Sequence, residues 1–342
     1  MRVLVIGGTG FIGQHVLRRL IEGGHAVTAF HRGDTKAELP SEVKHINGDR
    51  ADLLSFEPEL KTANPDVVLD MICYTETEAL TLAGAVEGVC ERMVVASSMD
   101  VYRSYGRLLG LEKGPPDPQP MDEDSPLRES RYPHRAMSKS PKDFAATYDK
   151  MLVEEAVNDS VKLRATVLRL PAVYGPGDKY HRAFEYLKRM DDGRREIILE
   201  EARARWLWTR GYVENVADAI ALAVTDERAA GRVCNVGEPD VLTEAEWIRS
   251  IGQAADWRGE VVILPGEKMP AHLASPYNFE HHMHCDTTRI RRELDYHERV
   301  SRAEAMRRTI EWERTHPPDQ VDPASFNYEA EDAALVGKLC AS

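Results

Sequence analysis

The sequence predicts an α/β protein built on a doubly wound parallel sheet. Its opening run MRVLVIGGTGFIG joins an apolar strand to a helix through spaced glycines. Apolar runs then alternate with helical patterns through the first half of the chain, as parallel sheets require. At 342 residues the chain is long enough for a second, smaller region.

Arg2 to Ile6 reads as a strand buried on both faces. Gly7, Gly10 and Gly13 follow at three-residue spacing, and Ile12, Val16, Leu17 and Leu20 repeat at helical spacing until Gly23-Gly24. Gly7 suits the tight turn, Gly10 lets a pyrophosphate approach the backbone, and Gly13 lets the helix lie close to the strand. The helix's free N–H groups and positive dipole end complete an anion site, so the turn predicts a bound dinucleotide.

His25 to Arg32 is the second strand. An acidic residue near its end would hold the adenosine ribose hydroxyls of NAD. Here His31-Arg32-Gly33 stands there, with no carboxylate before Asp34. Arg32 suits the extra phosphate of NADP through a charge-assisted contact. NAD, with Arg32 stacked on adenine, stays open as the alternative.

VKHINGDRAD supplies a short strand ending at Gly48-Asp49-Arg50. A helical segment runs to Asn64, PDVVLDMICY is a central strand, Glu76 to Cys90 a helix, and Glu91 to Ser98 the next buried strand. Residues 103–142 are rich in proline and charge and read as a long surface excursion near the site. Asp143 to Asn158 reads as one helix, KLRATVLRL as a strand, PAVYGPGD as a turn and GYVENVADAIALAVT as an amphipathic helix. GRVCNVGEP is a short strand, Thr243 and Glu246 form a capping box, EVVILP is a strand and DTTRIRREL a helix. Ser301 and Glu304 cap a further helix, and a proline-rich tail follows with a terminal helix from Tyr328.

Composition narrows the function classes. Hydrophobic residues make up 42% and charged residues 30%, which fits an ordinary globular chain with a sizeable core. No stretch approaches the ~20 apolar residues that span a bilayer, so no membrane partner is expected. No signal peptide is legible: a short apolar run after Arg2 is cut at once by glycines. Five scattered cysteines without a CxxC pair read as reduced thiols, and the expected location is cytoplasmic. With 44 basic against 57 acidic residues the net charge is −13, which argues against nucleic acid as the main partner. Arg189, Arg194, Arg195, Arg203 and Arg205 have acidic residues interleaved and read as a solvated face.

Together these motifs resemble an extended, atypical short-chain dehydrogenase/reductase of the NAD(P)-dependent epimerase/dehydratase family. GGTGFIG resembles its cofactor loop, Gly48-Asp49 its adenine-contacting pair, SSMDVY its strand end, VYGPGD its post-strand turn and GYVENVADAI its return helix. HRGD, NGDRAD and YDKMLVE resemble an atypical branch that includes chloroplast stem-loop RNA-binding proteins. The resemblance covers about residues 1–315. It implies a Rossmann domain over 1–176 plus 209–237, a substrate domain over 177–208 plus 238–315, and a tail over 316–342. A homodimer is the family's usual form. The implied cofactor-binding set is Gly7, Thr9, Gly10, Phe11, Ile12, Gly13, His31, Arg32, Asp49, Arg50, Tyr74, Lys150 and Pro171.

The family's chemistry rests on a Ser or Thr, a Tyr and a Lys, with Tyr four residues before Lys on one helix. Ser98 matches the serine and Lys150 the lysine, but Ala146 stands where the tyrosine belongs. Tyr148, about 200° around a continuous helix from that place, is expected to be a packing residue. Tyr102, Tyr132 and Tyr74 are the freer candidates, and Tyr102 joins Ser98 and Lys150 in the expected catalytic set. Asp70-Met71-Ile72-Cys73 departs from the family's small strand end. Trp208, flanked by Arg205 and Arg210, holds the register of the family's diphosphate-contacting arginine.

The run EHHMHCD, Glu280 to Asp286, has ligand chemistry without a second half elsewhere, so no metal is expected. The function expected is an NAD(P)-dependent oxidoreductase or epimerase-like enzyme acting on a small hydroxyl- or carbonyl-bearing metabolite, a sugar derivative being one form. The alternative is a catalytically silent nucleotide-binding or RNA-binding regulatory protein of the same fold.

Overall fold

The computed structural model describes residues 1–35, 37–140, 143–159 and 163–339. Its strands are β1 (Arg2–Ile6), β2 (Ala26–His31), β3 (Lys44–Asn47), β4 (Val67–Asp70), β5 (Arg92–Ser98) and β6 (Arg164–Leu170). Five shorter ones follow: β7 (Ala172–Tyr174), β8 (Glu196–Glu200), β9 (Arg210–Tyr212), β10 (Val233–Asn235) and β11 (Glu260–Leu264). Seven form one sheet in the order β10-β6-β5-β4-β1-β2-β3, with every neighbouring pair parallel. The order reverses beside β1, and that switch point opens a crevice at the strands' carboxyl ends.

Alternation along each strand divides the core between two faces. Val3 and Val5 face the helices Gly13–Glu22 and Val213–Thr225, packing with Val16, Leu17, Leu20, Val216 and Ile220. Leu4 and Ile6 face Glu76–Val86 and Lys150–Asn158, packing with Leu82, Val86, Val153 and Val157. Central strands buried on both faces explain why the sequence shows continuous apolar runs there.

Beyond the sheet, β8 pairs in parallel with β11 and β7 with β9. Sequence patterning did not register β7, β8 or β9, which are short. The capping box on Thr243 is present, and Thr75 with Glu78 forms a second one. The stretch 103–142 is more ordered than its composition suggests: Arg103–Leu108 is helical, and Arg128 donates to the carbonyls of Asp100 and Ser130. Its last two residues lie outside the described residues.

The tail after residue 315 ends in the helix Tyr328–Leu339. Glu331 is fully buried there against Arg189, at 2.8 Å, with His272 at 3.1 Å. Cys73, Cys90, Cys234 and Cys285 are free thiols, and Cys340 lies outside the described residues. Among the described residues no helix is long and apolar enough to cross a membrane.

Candidate active site

The glycine turn forms the floor of the crevice. Gly7 has φ +79°, and a Cβ there would stand 2.6 Å from Ile72 Cγ2, so only glycine fits. A Cβ on Gly13 would lie 2.8 Å from the Gly8 backbone, which is the close helix approach the spacing anticipates. At Gly10 the nearest atom to such a Cβ is 3.9 Å away, leaving the loop open above. The following helix has Ile12 at its N-cap and no side-chain cap; the Gln14 and His15 N–H groups turn back to the carbonyls of Gly10 and Ile12, and the positive end of the helix faces the glycine turn.

Two lobes, of about 350 and 440 Å³, meet at Gly7, Gly10, Ile72 and Tyr74. One runs past Thr9, His31, Arg32, Asp49 and Arg50; the other past Phe11, Ile12, Gly13, Ser98, Lys150 and Pro171. All thirteen residues expected at a cofactor thus line one groove. The donor set fits a dinucleotide: an uncapped helix terminus for phosphates, and polar ends for the two ribosides. His31 Nε2 meets His45 Nδ1 at 2.8 Å, while Arg32 is largely exposed and, among the described residues, pairs only with Asp34, at 3.2 Å. Arg50 turns inward to the buried Asp70, at 2.6 Å, a pair that accounts for the carboxylate standing at the end of β4.

At the far lobe the helix expected over Asp143–Asn158 is two helices, Phe144–Thr147 and Lys150–Asn158. Tyr148 and Asp149 between them are extended, with ψ of 122° and 107°. The break is fixed by Asp149, which caps the second helix by accepting from Met151 N–H at 3.0 Å. Its other oxygen accepts from Tyr132 N–H at 2.7 Å, and Arg128 pairs with the capping oxygen at 3.2 Å.

Tyr148 packs against the rings of Tyr74, His134 and Phe144, as expected, but the opposite-face placement does not hold, because rotation by helical periodicity does not apply across the break. Its hydroxyl donates to Asp100 Oδ2 at 2.6 Å and is hydrogen-bonded by Ser98. Burial, then the Asp100 carboxylate, push its phenol well above the ordinary value. His134 lies edge-near, its ring 5.1 Å from that of Tyr148 and its Nε2 3.9 Å from Asp100 Oδ2.

Lys150 Nζ donates to the carbonyls of Cys73 at 2.7 Å and Ala96 at 2.6 Å, under the ring of Tyr74 at 4.7 Å. Burial pulls its pKa down. Ser98 and Lys150 therefore share the groove, but Tyr102 does not join them. Its hydroxyl donates to Asn235 at 2.7 Å and accepts from Arg169 at 3.1 Å, fully buried behind β5. Arg169 in turn pairs with Glu154 at 2.8 Å, so Tyr102 belongs to an internal polar network. Tyr132 is likewise occupied, its ring covered by Arg135 at 3.7 Å.

A model of the family described as NAD dependent epimerase/dehydratase matches residues 3–237. The chain belongs to that family. It is an enzyme of an NAD(P)-dependent family, with the doubly wound fold the sequence anticipated. The 2'-dehydrokanamycin reductase of Streptomyces kanamyceticus is 26% identical over 275 residues, 78% of this chain and 70% of that protein. The UDP-N-acetyl-alpha-D-glucosaminuronate decarboxylase of Bacillus cytotoxicus is 25% identical over 92% of this chain and 98% of its own length. Among solved structures, the UDP-glucose 4-epimerase of Thermotoga maritima with UDP-glucose has a TM-score of 0.66 at 21% identity. It covers 92% of this chain and 99% of that one, and it shares the fold.

Sequence reasoning missed Asp100 and His134 at this site. A signal for the helix break was available, since Asp143 and Asp149 each precede an apolar stretch in the manner of N-caps. The run Glu280–Asp286 acts as a strut: Met283 N–H donates to the Leu207 carbonyl, and Met121 N–H to that of His284.

Proposed function

We propose that the chain is an NADP-dependent oxidoreductase acting on a hydroxyl- or carbonyl-bearing small metabolite, with Tyr148 as the proton-transferring tyrosine. The observation that carries this reading is the buried Tyr148 hydroxyl held between Asp100 and Ser98, the latter lining the cofactor groove. When bound, the nicotinamide supplies or accepts the hydride. Ser98 and Tyr148 would hold the substrate oxygen by hydrogen bonds. In the oxidation direction Tyr148 takes the alcohol proton while passing its own to Asp100. In reduction the same proton returns. Asp100 therefore works as a proton acceptor behind the phenol, a different device from the lysine charge that stabilises a phenolate in relatives with the usual spacing.

Lys150, its ammonium fixed on two carbonyls, keeps one N–H for a cofactor hydroxyl. The NADP preference is supported by the exposed Arg32 beside β2 and by the absence of a carboxylate at the end of that strand. The test is loss of reduced-cofactor absorbance with a panel of small ketones and aldehydes. Tyr148→Phe is expected to lower kcat by ~10²–10⁴-fold while cofactor affinity stays unchanged. Turnover that survives in both Tyr148→Phe and Asp100→Asn would overturn the assignment.

A further inference from the structure

We propose that the large cavity beside the cofactor groove takes a ring-bearing alcohol or ketone that is uncharged or amine-bearing, and rejects nucleotide diphosphates. The inference rests on the oxidoreductase reading above and names its substrate class. The cavity, about 730 Å³, shares Lys179 and Tyr180 with the lobe that holds Ser98 and Lys150, so a substrate seated there reaches the reacting end of the groove.

Its charges do not suit a pyrophosphate, which is held by several unspent cations. The lining holds two, Lys179 and Arg203, against three carboxylates, Glu185, Glu244 and Asp322. Arg203 is spent: it donates to the Tyr186 hydroxyl at 2.7 Å and pairs with Glu244 at 3.5 Å and Glu185 at 3.7 Å. Arg210, near the register of the family's diphosphate contact, is also committed. It is buried, ion-paired with Glu244 and stacked between Trp208 and Trp247, 5.0 and 4.4 Å from their rings. The two lining histidines face inward to carboxylates, His181 to Glu313 at 2.7 Å and His272 to Glu331 at 3.1 Å. Of the two lining cations, Lys179 is the one without an ion pair among the described residues.

Aromatic side chains take the place of cations. Trp206 and Trp208 stand 5.0 Å apart, Phe279 lies 5.3 Å from Trp206, and the tail contributes Phe326, 6.4 Å from Phe184. Ring faces bind planar or C–H surfaces, and ring faces beside carboxylates bind ammonium groups.

Calorimetry on the full chain loaded with NADP tests this with four probes: naphthyl methyl ketone, the same ketone carrying a primary amine, UDP, and UDP-glucose. Both ketones are expected to bind at least about ten-fold more tightly than UDP-glucose, and Phe326→Ala to weaken them by about ten-fold with cofactor affinity unchanged. Glu185→Gln, which unloads Arg203 at a half-exposed position, is expected to raise the affinity for UDP. UDP or UDP-glucose binding as tightly as the ketones, or absence of ketone binding, would overturn the proposal. Binding is read without turnover. A ketone that binds but consumes no reduced cofactor therefore counts against the oxidoreductase reading alone, and a nucleotide sugar that binds and is turned over counts against this inference alone.

Discussion

Replacing Tyr102 by Phe separates a structural tyrosine from a reacting one. The substitution removes a single oxygen from the buried network behind β5. Arg169 loses one acceptor but keeps the Glu154 carboxylate at 2.8 Å and the Glu123 carbonyl at 2.9 Å. The loss therefore falls on Asn235 Oδ1, which receives the Tyr102 hydroxyl at 2.7 Å in a fully buried setting. A buried acceptor left without a donor costs ~1–3 kcal/mol, and the phenyl ring still fills the space, so no cavity term is added. Urea denaturation is expected to show a loss of about 2 kcal/mol with an unchanged m-value. Steady-state kinetics on the same variant are expected to show kcat and KM within about two-fold of the parent, since Tyr102, Asn235 and Arg169 do not line the groove. The reverse pattern, wild-type stability with turnover abolished, would refute the assignment of Tyr102 to the interior.

Three further outcomes are expected. Glu331→Ala strips a buried Arg189 of its partner, a change worth ~3–5 kcal/mol, and the 12-residue tail helix is too short to persist alone. Hydrogen exchange is expected to rise over 328–339 while the sheet stays protected; unchanged protection there would sink the anchoring role. Burial holds His134 below its ordinary value of 6.5. Beneath that value the unfolded chain binds a proton that the folded chain refuses, so stability falls as pH drops. His134→Gln is expected to reduce the stability lost between about pH 7 and 5.5, read from denaturation midpoints at each pH. Arg32→Glu is expected to raise KM for NADP by at least about ten-fold and leave KM for NAD within two-fold; equal effects on both would show that Arg32 does not read the extra phosphate.

What the sequence made legible is what backbone chemistry dictates locally. Gly7 and Gly13 stand where a side chain has no room, and Thr243 with Glu246 satisfies helix N–H groups three residues apart, so each leaves its mark in a short window. Ser98 and Lys150 came instead from the family resemblance, and both line the groove. Tyr148 was not legible, since its position depends on whether the chain stays helical across Asp149. That is decided by Tyr132 and Arg128, which are distant in sequence. Glu331 meets Arg189 across 142 positions, and no local pattern announces such a contact. The same holds for β8, whose partner β11 is needed to make a strand of EIILE.

The interruption at Tyr148-Asp149 has a consequence for how such a site diversifies. On an unbroken helix a tyrosine and a lysine one turn apart move as a single rigid body, so neither group can be adjusted without displacing the other. Here the lysine is bolted to the sheet through two carbonyls, whereas the phenol hangs from a carboxylate on the neighbouring strand end and from the rings around it. The two groups hang from different supports. Substitutions along the adjoining loop can re-aim the phenol toward differently shaped substrates while the cofactor anchor stays still.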